Sequence, residues 1–240
     1  MTQSIIPGRE GLRMYDELIA VHAILRRGSA LTSAGFDRLV GGGQPDVKVL
    51  ADVSRWLVEF AHHHHASEDE LLWPVLRELF PEAVAELDQM TDEHLALDRE
   101  LQKLAAATDA ITVVGADGDA ARRAVQSAYR VQHLLISHLD AEEPVLEQLF
   151  PQVPDKGVVG LRKAIADGVP RSGPHYVFGL LEDPARPAGY QALVGNFPPP
   201  ARWLRPILLS QYRKRKRALG VYAVATRLVT ASAWPRRTSP

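Results

Sequence analysis

Four stretches of this chain repeat apolar residues at steps of three and four, and each places a histidine on its own apolar seam. That period belongs to a helix with one face turned to a core. One seam runs Met14, Leu18, Val21 with His22, and Leu25; a second runs Leu50, Val53, Leu57, Phe60, His64, Glu68, Leu71 and Val75. A third runs Leu87, Met90, His94, Leu97, Leu101 and Leu104; a fourth runs Ala128, Gln132, Leu135, His138, Glu142, Leu146 and Leu149. The intervals read as joints: GGGQPD at 41–46, with Asp46 placed to cap the next helix, then Phe80-Pro81, then GADGD at 115–119. The fourth helix is expected to stop at Phe150-Pro151, and Pro74 and Pro144, inside helical patterns, predict kinks. Four amphipathic helices with short joints predict an all-α fold, an antiparallel up-down four-helix bundle over residues 1–170.

What the chain lacks narrows its chemistry. It has no cysteine among its 240 residues, which excludes disulfides, iron–sulfur clusters and thiolate zinc sites. The opening MTQSIIPGREGLRMYDEL has no basic start followed by an apolar run, so no signal peptide is expected. No uncharged apolar run reaches the ~18 residues of a membrane span, and a cytoplasmic location follows as the expectation. Charge is uneven: residues 1–170 hold 16 Lys and Arg against 27 Asp and Glu, and residues 171–240 hold 12 against 2. Residues 171–240 read as a Pro-rich linker or extended wrap followed by a basic extension. RKRKR at 213–217 reads as a solvated helix end, or as a tail folded on the acidic body. Trp203 and Tyr212 make no stacking platform, so nucleic acid is not the expected partner.

The seam histidines carry the chemistry. A single one is usually a satisfied core residue. Here His22, His64, His94 and His138 occupy four different helices, and Glu68 and Glu142 follow His64 and His138 by one turn on the same face. Buried carboxylates are costly unless paired or bound to metal. Imidazole and carboxylate without sulfur suit iron or manganese. A repeat supports the grouping: HHASEDELLWPVLRELFP at 64–81 echoes HLDAEEPVLEQLFP at 138–151, and His22 precedes His64 by 42 residues as His94 precedes His138 by 44. Two helix pairs thus each contribute half a site. His62, His63 and His65 should turn away from the direction of His64, to the surface or behind the ligands, because successive residues rotate by about 100°. A register using His65 and Asp69 instead is the lesser alternative. Asp69 and Glu143 are expected to orient imidazole N–H groups. His133 lies off the seam, and His175 has no assigned role.

These motifs resemble the hemerythrin/HHE cation-binding family over roughly residues 10–150: His22, HHASED at 64–69, His94, and HLDAEE at 138–143. The resemblance implies a hemerythrin-like bundle with two irons per chain joined by an oxo or hydroxo bridge. His64, Glu68, His138 and Glu142 would be ligands, with the two glutamates as bridges, and His22 and His94 would complete the set. The implied partner is a small oxidant: dioxygen, peroxide or nitric oxide. A catalase- or peroxidase-like reaction is one form this could take, with protons drawn from the bridge or from a neighbour such as His65. A sensor acting through the basic tail is the alternative, and iron storage ranks lowest. One departure stands out. Oxygen-carrying hemerythrins have a histidine one turn before the third-helix histidine, where this chain has Met90. Two six-coordinate irons have about twelve positions, and this donor set leaves about two open, where the carrier has about one. Reaction with oxidants is then expected over reversible oxygen storage.

Overall fold

The computed structural model describes residues 9–114, 118–168 and 172–221. The first three residues of the GADGD joint, residue 170 at the start of the Pro-rich stretch, and the last part of the basic extension lie outside them. Among the described residues the chain is all-helical, with no strand. Helix α1 (Arg9–Val40) is followed by α2 (Val47–Ser67), a π-helical turn (Glu68–Leu72), α3 (Trp73–Leu79) and a 3₁₀ turn (Pro81–Ala83). Then come α4 (Val84–Val114), α5 (Gly118–Leu149) and a second 3₁₀ turn (Phe150–Gln152). Asp46 caps α2 as expected, its carboxylate accepting from the Lys48 and Val49 amides at 3.0 and 3.2 Å.

Helices α1 and α4 each pack on both α2 and α5, closing a ring. Along the interfaces, numbers rise on one helix as they fall on its neighbour. Gly28 meets Leu57 and Gly35 meets Leu50; Ser54 bonds Thr108 while Asp69 bonds Thr91; Arg26 bonds Asp140 while Tyr129 bonds Asp37. α1 and the end of α5 approach so closely at Gly11 that an added Cβ would lie 1.9 Å from the Phe150 carbonyl oxygen.

Pro74 and Pro144 are accommodated differently. Pro74 sits in the first turn of α3, and the helix widens just before it: the Trp73 amide donates to Glu68, five residues back. The widened turn adds room where the proline ring crowds the preceding turn. It also slips the apolar seam by one position. Leu72 and Leu76 are buried, where the period had pointed to Leu71 and Val75, which are half-buried. α5 runs through Pro144 without a break.

The segment beyond residue 171, expected to be a linker or an extended wrap, is helical over most of its described part. After α6 (Asp155–Gly168) come α7 (Pro174–Glu182), α8 (Tyr190–Gly195), α9 (Pro199–Trp203) and α10 (Arg205–Ala218). Three of its prolines open helices: Pro174, Pro199 and Pro206 all stand in first turns. α7 and α8 pack on α1, and α10 on α7. Tyr176, Leu180, Leu181, Tyr190 and Tyr212 join the large apolar cluster of the four long helices. Arg27 of α1 donates to the Leu180 and Leu181 carbonyls at 2.8 and 3.3 Å. Gly189 seats α8: its φ is +73°, and a Cβ there would strike the Asp16 carbonyl. Part of the basic stretch pairs with acidic residues, Arg215 with Asp52 and Lys216 with Asp183. No described helix is long and apolar enough to cross a membrane.

The core is divided. The large cluster takes Ile24, Leu57, Leu101 and Leu135 from the long helices. A smaller one gathers Met14, Leu72, Trp73, Met90, Leu146 and Phe150. The seam histidines lie between the two.

Truncation of Leu181 to Ala should cost about 2–5 kcal/mol and leave one cooperative transition, since α7 shares the core of α1. Thermal unfolding followed by circular dichroism and by tryptophan fluorescence should give coincident curves. An early, separate loss of α7–α10 would show the segment to be independent.

Candidate metal centre

All six residues singled out on the seams meet in the layer between the apolar clusters. His22, His64, Glu68, His94, His138 and Glu142 are buried, none more than 8 % exposed. α1 supplies His22, α2 His64, the π-turn Glu68, α4 His94, and α5 His138 with Glu142. Glu68 and Glu142 each reach histidines from two helices. Glu68 lies 3.2 Å from His64 Nε2 and 3.6 Å from His94 Nε2. Glu142 lies 3.7 Å from His22 Nε2 and 3.4 Å from His138 Nε2. His94 and His138 bring their Nε2 atoms to 3.0 Å.

Outer carboxylates hold three of the rings from behind. His22 Nδ1 is 2.9 Å from Glu143, His94 Nδ1 is 3.1 Å from Asp69, and His138 Nδ1 is 3.0 Å from Glu93. A proton on His22 Nδ1 turns its Nε2 lone pair inward, whereas the 3.0 Å contact between His94 and His138 needs a proton on one of those two Nε2 atoms in the metal-free chain. Asp69 and Glu143 had been expected in this role. Glu93 had not, since nothing in its spacing marks it: it adjoins His94 but serves His138 on the neighbouring helix. Arg26 also donates to Glu143, at 2.6 Å, and binds Asp140.

His65 departs from expectation. It is buried at 2 % exposure and faces the site, whereas His62 and His63 are half-exposed and His133 is exposed. α2 packs between α1 and α4, so successive residues can both face inward, His64 beside His22 and His65 beside His94.

The layer is electrostatically unbalanced. Burial and the neighbouring Glu142 carboxylate push Glu68 well above the usual carboxylate range. Burial opposes the charge of Glu142 too, but His22 and His138 draw its pKa down to about 2. Burial, then His65 and His138, lowers His94 to about 4, and burial lowers His64 well below its ordinary value. Neutral His64 and His94 and a readily ionised Glu142 suit cation binding. Both Glu68 oxygens, both Glu142 oxygens and the Nε2 atoms of His22 and His64 are buried without a hydrogen-bond partner among the described residues. Such orphans are rare in settled cores. The donors fall into two groups whose atoms lie within 4.8 Å of one another: His22, His64, Glu68 and Glu142, and His65, His94 and His138.

The hemerythrin HHE cation-binding domain matches residues 13–153. The chain belongs to that family. The matched span takes in α2, α4 and α5, α1 from its fifth residue on, and every residue of the buried layer. No curated protein and no solved structure matches the chain.

Without metal, Glu68→Gln should stabilise the fold, increasingly so as pH rises. In the unfolded chain a glutamate ionises near 4.3; folded Glu68 does so only well above this. The protonated contribution is therefore full below the unfolded value and lost as pH climbs through the folded one. Melting in chelator at pH 5 and pH 8 should show a steeper loss for the wild type. Equal pH slopes would contradict the assignment.

Proposed function

We propose that this HHE protein is a hemerythrin-like non-haem di-iron protein that binds or reacts with dioxygen, peroxide or nitric oxide. The fold in this reading is the antiparallel up-down four-helix bundle, and the location is cytoplasmic. Its centre is a pair of irons joined by an oxo or hydroxo bridge, held by His22, His64, Glu68, His94, His138 and Glu142, with both glutamates bridging. The observation that carries it is the reach of each glutamate to histidines on two helices, with the facing carboxylate and imidazole atoms mostly unpaired. Two such carboxylates suit a pair of hard or borderline cations better than one.

Bound iron would supply the electrons for reaction with an oxidant. The chain's own residues do the rest. Glu143, Asp69 and Glu93 hold three imidazoles in register. The apolar clusters on either side keep water from the layer. Turnover of peroxide by the iron-loaded protein would make the activity catalase-like.

A second reading is a sensor in which metal sets the stability of the bundle and the basic extension passes that state to a partner. It draws on the contact of Arg27, five residues beyond His22, with the α7 carbonyls that support α10. A partner captured only by the metallated or only by the metal-free form, and lost on truncating the extension, would favour this reading.

Metal analysis after iron reconstitution should give about two irons per chain with oxo-bridged ferric absorption, both lost in the His64→Ala/Glu68→Ala double variant. A colourless, iron-free wild type would refute the reading.

A further inference from the structure

His65 is a buried imidazole that helix packing alone does not explain. Neither ring nitrogen has a hydrogen-bond partner among the described residues. Leaving a polar group unpaired in a core costs about 1–3 kcal/mol, so a position with no other role would normally be apolar. The ring faces the half of the layer built by α4 and α5. It stacks on His94 with centroids 4.4 Å apart and meets His138 edge-on at 5.6 Å, while His94 and His138 are 4.6 Å apart. One nitrogen from each of the three lies within 4.8 Å of the others, close enough to share a cation.

A carboxylate also lies on the Nδ1 side of His65, though farther off than those behind the other rings. Glu143, Asp69 and Glu93 stand behind the Nδ1 atoms of His22, His94 and His138, and Asp98 stands behind that of His65, at 3.9 Å. Asp98 is steadied in turn by His62 at 3.1 Å. With Nδ1 toward Asp98, Nε2 is left for the interior. On α4, one turn before His94, Met90 offers only a buried thioether, and the imidazole that stands against His94 and His138 comes instead from α2.

We infer that His65 is a metal ligand. It completes a three-imidazole position with His94 and His138, and Glu68 and Glu142 join this to the two-imidazole position of His22 and His64. The inference rests on the di-iron reading above. It makes the two ions unequal. Three imidazoles, two bridging carboxylates and the bridge would fill one iron, leaving the open position to the iron that His22 and His64 would hold. The two vacancies expected from Met90 become one.

The test uses the full-length protein reconstituted with iron, read by Mössbauer spectroscopy and by iron release to a chelator. The wild type should show two unequal ferric environments; a single symmetric environment would overturn the inference without needing a variant. His65→Gln should alter one environment only and release one of the two irons at least ~10-fold faster. Adding Met90→His to His65→Gln should restore slow release by returning an imidazole to that half. Wild-type spectra and release rates in His65→Gln would overturn His65 as a ligand and leave the di-iron reading intact. Failure of the wild type to retain an iron pair would overturn both.

Discussion

Between the two apolar clusters, Glu68 and Glu142 share a dry layer with five imidazoles, and the rest of the bundle is arranged around that burden. Two carboxylates so placed cannot both ionise cheaply. In the metal-free chain the conflict is divided unequally: the histidines keep Glu142 charged, while Glu68 holds its proton far longer. A pair of divalent cations would answer both charges at once. The layer is expensive without metal, and in the di-iron reading the stability of the bundle would be coupled to its occupancy.

The outer carboxylates extend that coupling to helix packing. Glu143 of α5 holds His22 of α1, Asp69 of the π-turn holds His94 of α4, and Glu93 of α4 holds His138 of α5. Each of these three rings is thus met from another element of the bundle, so their orientation and the helix register are set together. The π-turn serves the same end. It relieves Pro74, and it begins with the two acids that work at the site, Glu68 facing inward and Asp69 behind His94.

The C-terminal helices shield one flank. α7 and α8 lie on α1, covering apolar residues that would otherwise meet water, and the Arg215–Asp52 pair ties α10 to the start of α2. The opposite charges of the two parts meet in these contacts, while Arg213, Lys214 and Arg217 remain exposed without an ion pair among the described residues.

The helical period and the matched His-to-Glu steps sufficed for the all-helical fold, the family and the meeting of six side chains. These signals are local and repeat along one helix face, so they survive without knowledge of the neighbours. What lay hidden depended on the neighbours. The inward turn of His65 follows from α2 being gripped by two helices, and the pairing of Glu93 with His138 follows from the offset between α4 and α5. The slip from Leu71 and Val75 to Leu72 and Leu76 needs the extra residue of a π-turn, which a uniform period cannot register. The prolines beyond residue 171 looked like breakers because proline also starts helices, and only packing against α1 decides which. The sequence carried the donors and their spacing; the tertiary structure decided which faces meet, because a helix has several faces and only its partners select among them.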